Sequence, residues 1–225
     1  MKKVVIVIPA YNPDDRLEKV ICDLKSQEYV DIVVVNDGSK INEVFNKIED
    51  KVILLKHEIN KGQGRAVKTG LDYVKKHFLK TKGVITVDAD GQHVIEDINK
   101  VYEKFLQYPE KMIIGSRNFK KENTPFRSRL GNKLITRMLE KRTKKVIQDT
   151  QTGLRAIPNK YFDDIQKIEG ERFDFAIQFI IYCIKNDIEI IEVPIQSIYF
   201  DKNRGSHYRP IKDSKIIYKS LKDAF

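Results

Sequence analysis

Across 225 residues the chain carries 42 Lys and Arg against 32 Asp and Glu, a formal charge of +10, and two cysteines. That length suits one α/β domain with a core large enough to need no disulfide staples, and Cys22 and Cys183, each inside an apolar helical pattern, read as buried thiols of a reducing cytosol. The basic balance favours anionic partners, but no zinc-finger spacing, RNP-type aromatic motif or helix-turn-helix pattern supports nucleic acid, and no apolar run approaches the roughly 18 residues of a membrane span.

In chain order, the first half alternates strand and helix, the pattern of βαβ units building a parallel sheet. Residues 3–9 predict a buried strand, and this start shows no signal-peptide core or cleavage site. Asp14 is placed to cap a helix over 15–27, whose Leu17, Val20, Ile21 and Leu24 share one face. A second strand over 31–35 ends in Asn36-Asp37-Gly38-Ser39. A short helix follows over 41–48 and a third strand over 52–55; Asn60-Lys61-Gly62-Gln63-Gly64-Arg65 then leads into a helix over 66–79. A central strand over 83–87 precedes a helix over 95–107 and a strand over 111–115.

The central strand is an apolar, β-branched run of the kind buried on both faces, and it ends in Asp88-Ala89-Asp90-Gly91-Gln92-His93. Ligands of open parallel sheets lie past the carboxyl ends of the strands. Side chains at i and i+2 share a side, so Asp88 and Asp90 can reach one object. A hard Mg²⁺ or Mn²⁺ ion fits them best, with Gln92 offering a third oxygen, although the same residues also suit a plain turn. The other strand ends bring Tyr11-Asn12, Asp37 and Lys61-Gly62 to this edge. Tyr11 can flank a base, Asp37 can accept bonds from base or ribose, and the glycine turn opens a helix whose N–H groups can approach an anion. No P-loop and no Gly-x-Gly-x-x-Gly fingerprint follows the first strand, which sets aside kinase and dehydrogenase readings.

Ile8-Pro9-Ala10-Tyr11-Asn12, Val35-Asn36-Asp37-Gly38-Ser39, Asn60-Lys61-Gly62-x-Gly64-x-Ala66, Asp88-Ala89-Asp90-Gly91-Gln92-His93 and Gly115-Ser116-Arg117 resemble, in order and spacing, the family 2 inverting glycosyltransferases of the GT-A fold. Within that family the likeness is to the dolichyl- or polyprenyl-phosphate mannose and glucose synthases, over roughly residues 3–205. The resemblance implies a Rossmann-like, mostly parallel sheet flanked by helices in a single domain. Residues 1–117 would hold a nucleotide-diphosphate sugar and 118–225 the acceptor. It implies donor contacts from Pro9, Tyr11, Asn12, Asp37, Lys61, Gly62, Asp88, Ala89 and Arg117. Asp37 would meet the nucleoside and Arg117 the phosphates, with Asp88, Asp90 and Gln92 around Mg²⁺ or Mn²⁺. Pro13 stands where the family often has Glu, which leaves the base open.

In the second half, 118–123 is polar and aperiodic, as in a lid. Residues 126–145 predict a basic helix with Leu130, Leu134, Ile135, Met138 and Leu139 on an apolar face beside Arg127, Arg129, Lys133, Arg137, Lys141 and Arg142. Such a helix suits an anionic membrane surface or plain solvent equally. Gln148-Asp149-Thr150-Gln151-Thr152-Gly153-Leu154-Arg155 resembles the family's Asp-x-x-x-Gly-Phe/Leu-Arg segment beneath the acceptor. By that likeness the catalytic candidates are Asp90, through the cation, and Asp149, as general base toward a hydroxyl acceptor; Arg155 and Arg129 would contact a lipid phosphate. A phosphate acceptor, with a second pKa of about 6, needs no base, and Asp149 would then orient or merely turn the chain.

An apolar helix over 173–184 carries Asp174 near its start, and a strand over 188–194 follows, with 196–199 as an extension. Arg204, ahead of Gly205-Ser206, matches an arginine that in the family closes on the donor phosphates. The final segment, 211–221, is amphipathic and lysine-rich, able to rest on a bilayer. The expected activity is thus metal-dependent, inverting transfer of a sugar to a polyprenyl phosphate, by a cytoplasmic protein able to sit at the inner face of the plasma membrane. A glycan hydroxyl is the alternative acceptor, and a nucleotide-sugar sensor without turnover the non-enzymatic reading. Nucleotidylyl transfer is set aside because Ala10-Tyr11-Asn12-Pro13 is not a glycine-rich basic loop.

Overall fold

The computed structural model describes residues 4–27, 30–40, 43–119, 126–196, 198 and 210–224. The predicted alternation is present as β1 (Val4–Ala10), α1 (Arg16–Lys25), β2 (Val30–Asn36), α2 (Glu43–Asn46), β3 (Ile53–Lys56), α3 (Gln63–His77), β4 (Gly83–Thr86), α4 (Ile95–Gln107) and β5 (Met112–Arg117). The second half supplies α5 (Phe126–Thr143), β6 (Arg155–Pro158), a 3-10 turn (Asn159–Tyr161), α6 (Phe162–Gln166), α7 (Phe175–Lys185), β7 (Ile190–Ile195) and α8 (Pro210–Ala224).

The strands form one seven-stranded sheet in the order β3-β2-β1-β4-β6-β5-β7. β6 is antiparallel to both neighbours while the other pairings are parallel. β6 and α6 are additions to the sequence expectation, and the reversal of β6 matters for the site. Its register sets Arg155 opposite Thr86 and Pro158 opposite Gly83, so the chain enters β6 at the edge where β4 ends. The loop at 148–154 is thereby carried to the mouth beside Asp88.

Period-two alternation sorts the strand residues onto two cores. Val5, Val7, Val33, Val35, Val84 and Ile114 face α3 and the second-half helices, while Ile6, Ile8, Ile32, Val34, Ile85 and Ile113 face α1, α2 and α4. Each of these side chains is fully or almost fully buried, worth about 1.5–3 kcal/mol apiece relative to exposure. The apolar set of α5 divides between surroundings: Ile135 and Leu139 enter the core, whereas Leu130 and Leu134 are 55% and 59% exposed. On α8, Ile217 and Leu221 pack into the same core and Tyr218 faces out.

Three local expectations are corrected. Cys183 is buried in α7, but Cys22 lies on the solvent face of α1. Ahead of α1 it is Asp15 that occupies the position before the first helical residue; the Asp14 carboxylate accepts the Arg16 N–H at 3.0 Å and also grips the Arg16 guanidinium at 2.6–2.9 Å. Gln196 follows β7 outside any strand, and its N–H donates to the buried Asp97 carboxylate of α4 at 2.8 Å. Of the rest of the expected extension, residue 198 is likewise in no strand, and 197 and 199 lie outside the described residues.

Candidate active site

The acids stand just past the end of β4. Val87 still donates its N–H to Val7 at 3.0 Å, after which the backbone leaves the sheet. Asp90 Oδ1 accepts the Gln92 N–H at 3.0 Å, and Gly91 turns the chain with φ +75°, a conformation open to glycine without strain. Asp88 is held from three sides. Gln63, the first residue of α3, donates its side-chain amide to Oδ1 at 2.9 Å, and His93 Nε2 lies 3.1 Å from Oδ2. Gly153 closes the third side so tightly that any Cβ there would overlap the carboxylate, while Thr86 Oγ1 donates to the Gly153 carbonyl at 2.6 Å. His93 Nδ1, on the other side of the ring, is buried with no hydrogen-bond partner among the described residues.

The two carboxyls are pushed apart electrostatically. Burial and the charge of Asp88 raise the pKa of Asp90 above the ordinary carboxylate value, against smaller lowering effects from the Gln92 N–H, His93 and Arg16. At Asp88 burial also acts upward, but His93, Arg117 and Arg155 together outweigh it and hold the group low. Two crowded acids, one disfavoured in its charged form by the other, are what a divalent cation would relieve. Among the described residues no group of three or more His, Cys, Asp or Glu is placed to hold a metal by itself. The donor set still fits Mg²⁺ or Mn²⁺, because such ions are commonly bound by one or two carboxylates, with the remaining positions left to water and substrate phosphate. Asp88 and Asp90 would hold it, with Gln92 beside them.

The neighbouring loops are tied together before any ligand enters. Asn12, at φ +44°, donates its N–H to Ser39 Oγ at 2.8 Å and accepts the Lys40 N–H on Oδ1 at 2.9 Å, joining the loops after β1 and β2. Tyr11 is partly buried in the same loop, and Pro9, partly buried, lies opposite Val35 at the end of β1. Ala89 packs against the α1–α4 side of the core. Asp37 is buried and receives four donors: His57 Nδ1 at 2.7 Å and Lys61 N at 2.9 Å on Oδ1, Asn60 Nδ2 at 2.9 Å and Gly62 N at 2.8 Å on Oδ2. Gly62 has φ +107°, and a Cβ there would meet the Glu171 carbonyl, so this glycine is required twice over. Lys61 itself is exposed.

On the far side, Arg117 at the end of β5 lies side-on to Asp149, Nε to Oδ2 at 2.6 Å and a terminal nitrogen to Oδ1 at 3.1 Å, and faces the Phe119 ring at 5.2 Å. Asp149 has no exposed surface and also accepts N–H bonds from Arg117 and Gln151. Its expected part as a free general base meets a carboxylate already committed to a guanidinium. Arg155, expected at an acceptor phosphate, is 3% exposed. Its guanidinium donates to the carbonyls of Thr152, Ala176 and Thr150 at 2.9, 3.1 and 3.2 Å and stacks 4.7 Å from the Phe179 ring, so it braces the 150–154 turn from beneath. Burial lowers its pKa to about 10, still charged at neutrality. Arg129 falls within α5, but its side chain, like all of Arg204, lies outside the described residues.

The sequence reading therefore brings Asp88, Asp90, Gln92 and Arg117 to one mouth, and it overlooked the groups that hold them. Gln63, His57, Gly153 and Asn132 were not singled out. Asn132 of α5 donates to the Gln148 carbonyl at 2.6 Å and accepts the Thr150 N–H at 3.4 Å, pinning the loop that carries Asp149. Gln63 and Gly153 sit inside quoted motifs, so the signal was present; that they touch Asp88 needed the fold.

The family model for glycosyl transferase family 2 matches residues 5–166. The chain is 31% identical to a UDP-N-acetylglucosamine–dolichyl-phosphate N-acetylglucosaminyltransferase of Methanococcus voltae, covering 98% of this chain and 95% of that one. It is 34% identical to a dolichyl-phosphate beta-glucosyltransferase of Trichomonas vaginalis over 67% of this chain and 51% of that one. Among solved structures, glucosyl-3-phosphoglycerate synthase from Mycobacterium tuberculosis, in complex with Mn²⁺, UDP and phosphoglyceric acid, superposes with a TM-score of 0.73 at 14% identity, covering 99% of this chain and 78% of that one. The fold is thus the GT-A glycosyltransferase fold.

Proposed function

The chain belongs to glycosyl transferase family 2, and from that premise we propose that it transfers a sugar from a nucleoside-diphosphate donor to a polyprenyl phosphate, with inversion and with Mg²⁺ or Mn²⁺ bound at Asp88 and Asp90. The observation that carries the donor side is the crowded acid pair beyond β4, with Gln92 beside it and a side-on Arg117 close enough to lower the pKa of Asp88. The bound cation would neutralise charge on the donor's diphosphate. Asp88, fixed by Gln63 and His93, and Asp90, fixed by the Gln92 N–H, would hold it. Arg117, oriented by Asp149, stabilises the same developing charge on the departing nucleoside diphosphate. Tyr11 and the loop at Asn12 border the nucleoside.

The state of Asp149 bears on the acceptor. A sugar hydroxyl must lose its proton to a base, whereas a phosphate is already ionised near neutrality, second pKa about 6. With Asp149 buried on Arg117, a phosphate acceptor is the better match, and the relatives from Methanococcus voltae and Trichomonas vaginalis are dolichyl-phosphate sugar transferases. The outward faces of α5 and α8 support a peripheral seat on an anionic leaflet: Leu130, Leu134 and Tyr218 are exposed among exposed Lys133, Arg137, Lys215 and Lys219. No helix among the described residues is long and apolar enough to cross a membrane.

The test is a nucleotide-release screen of UDP-, GDP- and dTDP-sugars with Mn²⁺ or Mg²⁺, with and without a short polyprenyl phosphate. Metal-dependent release stimulated by the lipid, abolished in a folded Asp90→Ala, is the expected result. Release unchanged by chelation or in Asp90→Ala would remove the cation site; stimulation by a glycan and not by the lipid would replace the acceptor.

A further inference from the structure

We infer that Glu192, on the edge strand β7, is a positioning residue that sets Arg117 against the phosphates, acting through the turn that carries Asp149. Pairing aligns Glu192 with Ile114 of β5, Ile114 with Arg155 of β6, and Arg155 with Thr86 of β4. Residues opposite one another in a sheet project to one face, and three strand spacings, about 14 Å, separate the ends of this row. Its three polar members hold one loop, in order. Glu192 Oε1 accepts the Gln148 N–H at 2.9 Å and the Asp149 N–H at 3.3 Å, Arg155 donates to the Thr150 and Thr152 carbonyls at 3.2 and 2.9 Å, and Thr86 donates to the Gly153 carbonyl at 2.6 Å. Residues 148–153 therefore lie across the sheet on a ledge of side chains, with Arg117 gripped at one end and Asp88 pressed at the other.

Asp149 can hold Arg117 only where its own backbone is placed. Asn132 of α5 fastens that backbone from the helix side, through the Gln148 carbonyl and the Thr150 N–H. Glu192 fastens it from the sheet, where Oε2 adds a second contact to the Gln148 N–H at 3.1 Å. Asp149 has no exposed surface, so its N–H must keep an acceptor within the protein. Without Glu192 the turn has to move to find one, and the carboxylate that holds Arg117 Nε at 2.6 Å moves with it. Period two sends Ile191, Val193 and Ile195 into the core on the α4 side, so Glu192 stands on the opposite face with the apolar Ile190. The two backbone donors account for a carboxylate at that place.

Reach, rather than charge, is what this role requires. Both donors are neutral backbone amides, and the single oxygen of a glutamine can accept the two bonds that Oε1 takes. An aspartate keeps the charge but is one methylene shorter. It withdraws the acceptor by about 1 Å, which stretches the 2.9 Å bond past hydrogen-bond range.

This positioning role rests on the phosphate role given to Arg117 in the proposed function, and the experiment separates the two. The full chain, labelled with ¹⁵N-arginine, is compared as wild type, Glu192→Gln, Glu192→Asp, Glu192→Leu and Arg117→Gln. The Arg117 Nε–H signal, assigned by its loss in Arg117→Gln, reports the pair through its exchange with solvent, and the Arg65 Nε–H on Glu171 is the internal reference. UDP and GDP are titrated at saturating Mn²⁺, and the tighter of the two is followed in every variant. In Glu192→Asp and Glu192→Leu the Arg117 signal should exchange at least about tenfold faster with Arg65 unchanged, and nucleotide affinity should fall about tenfold. Glu192→Gln should stay within about threefold of wild type on both measures. Added to Arg117→Gln, Glu192→Leu should cost less than about twofold more, because its effect passes through Arg117. Should Glu192→Leu not fold, Glu192→Asp decides by the same criteria, alone and added to Arg117→Gln. An Arg117 signal unaltered in Glu192→Asp and Glu192→Leu, an equal loss of affinity with and without Arg117, or a loss in Glu192→Gln as large as in Glu192→Asp overturns the positioning role while the phosphate role of Arg117 stands. Arg117→Gln binding nucleotide as tightly as the wild type, or a wild type that binds neither nucleotide, overturns both.

Discussion

Gly153→Ala tests whether the placement of Asp88 governs the activity. Gly153 packs directly on Asp88, and an added Cβ would lie well inside van der Waals contact of Oδ1, Oδ2 and Cγ together, so no rotation of the carboxylate relieves the overlap. To reach an ordinary separation of 3.4 Å the group must retreat by about 1 Å. Neither partner yields easily. The Gly153 carbonyl is held by Thr86 Oγ1, the Leu154 carbonyl by the Gly115 N–H at 2.9 Å, and Asp88 by Gln63 and His93. Overpacking of this kind costs about 1–3 kcal/mol of stability. A displacement of about 1 Å in a reacting constellation can cost about 10²-fold in rate, equivalent to about 2.7 kcal/mol of transition-state stabilisation. The assay is nucleoside diphosphate release, read as kcat/KM, beside a thermal melt of the same preparation. Gly131→Ala in α5 is the control, since among the described residues nothing lies within 4 Å of its added Cβ and activity should be unchanged. A Gly153→Ala protein with kcat/KM within about threefold of wild type and an unaltered melt would refute the claim that Asp88 is held in place by contact with this turn.

Three further outcomes follow from the same geometry. Asp149→Asn should lower stability by about 2 kcal/mol, because it takes the carboxylate's charge from the partly buried Arg117 guanidinium that lies along it; a large fall in kcat with stability intact would instead mark Asp149 as a base. Arg155→Lys should also destabilise, by about 2–4 kcal/mol, since an ammonium cannot reach the three carbonyls and the Phe179 face together. It should reduce donor and acceptor use in parallel, and a selective rise in the acceptor KM would place Arg155 on the acceptor. At pH 8 a thiol reagent should modify Cys22 in the folded protein and Cys183 only after unfolding, because burial pushes the Cys183 thiol up to about 12 and keeps it protonated; rapid native labelling of both would show α7 to be loosely packed.

What the sequence determined by itself is the scaffold and the position of the chemistry along it. Continuous β-branched runs such as Val4–Ile8 and Val84–Val87 can be stable only where both faces are covered, so they announce central strands, and helical spacing in α1, α3 and α4 announces their covering layers. Polar residues at the ends of those strands must share one edge, which groups Asp88 and Asp90 with Tyr11, Asn12, Asp37 and Lys61 from sequence alone, while Arg117 joins them through the family resemblance. Tertiary structure decided the occupancy of each polar group. The segment Arg155-Ala156-Ile157-Pro158 is short and carries an arginine and a proline, so nothing local marks it as a strand; it becomes one by pairing with Thr86 and Ile113, far away in the chain. The same distance hid the fate of Asp149 and Arg155. An isolated carboxylate or guanidinium in a sequence looks available, but its lone pairs and protons are consumed by a partner 32 residues away for Asp149, and by a helix-start carbonyl 21 residues on for Arg155. Burial makes such pairing obligatory, since an unpaired charge there costs several kcal/mol, and which groups meet is settled only when the sheet closes.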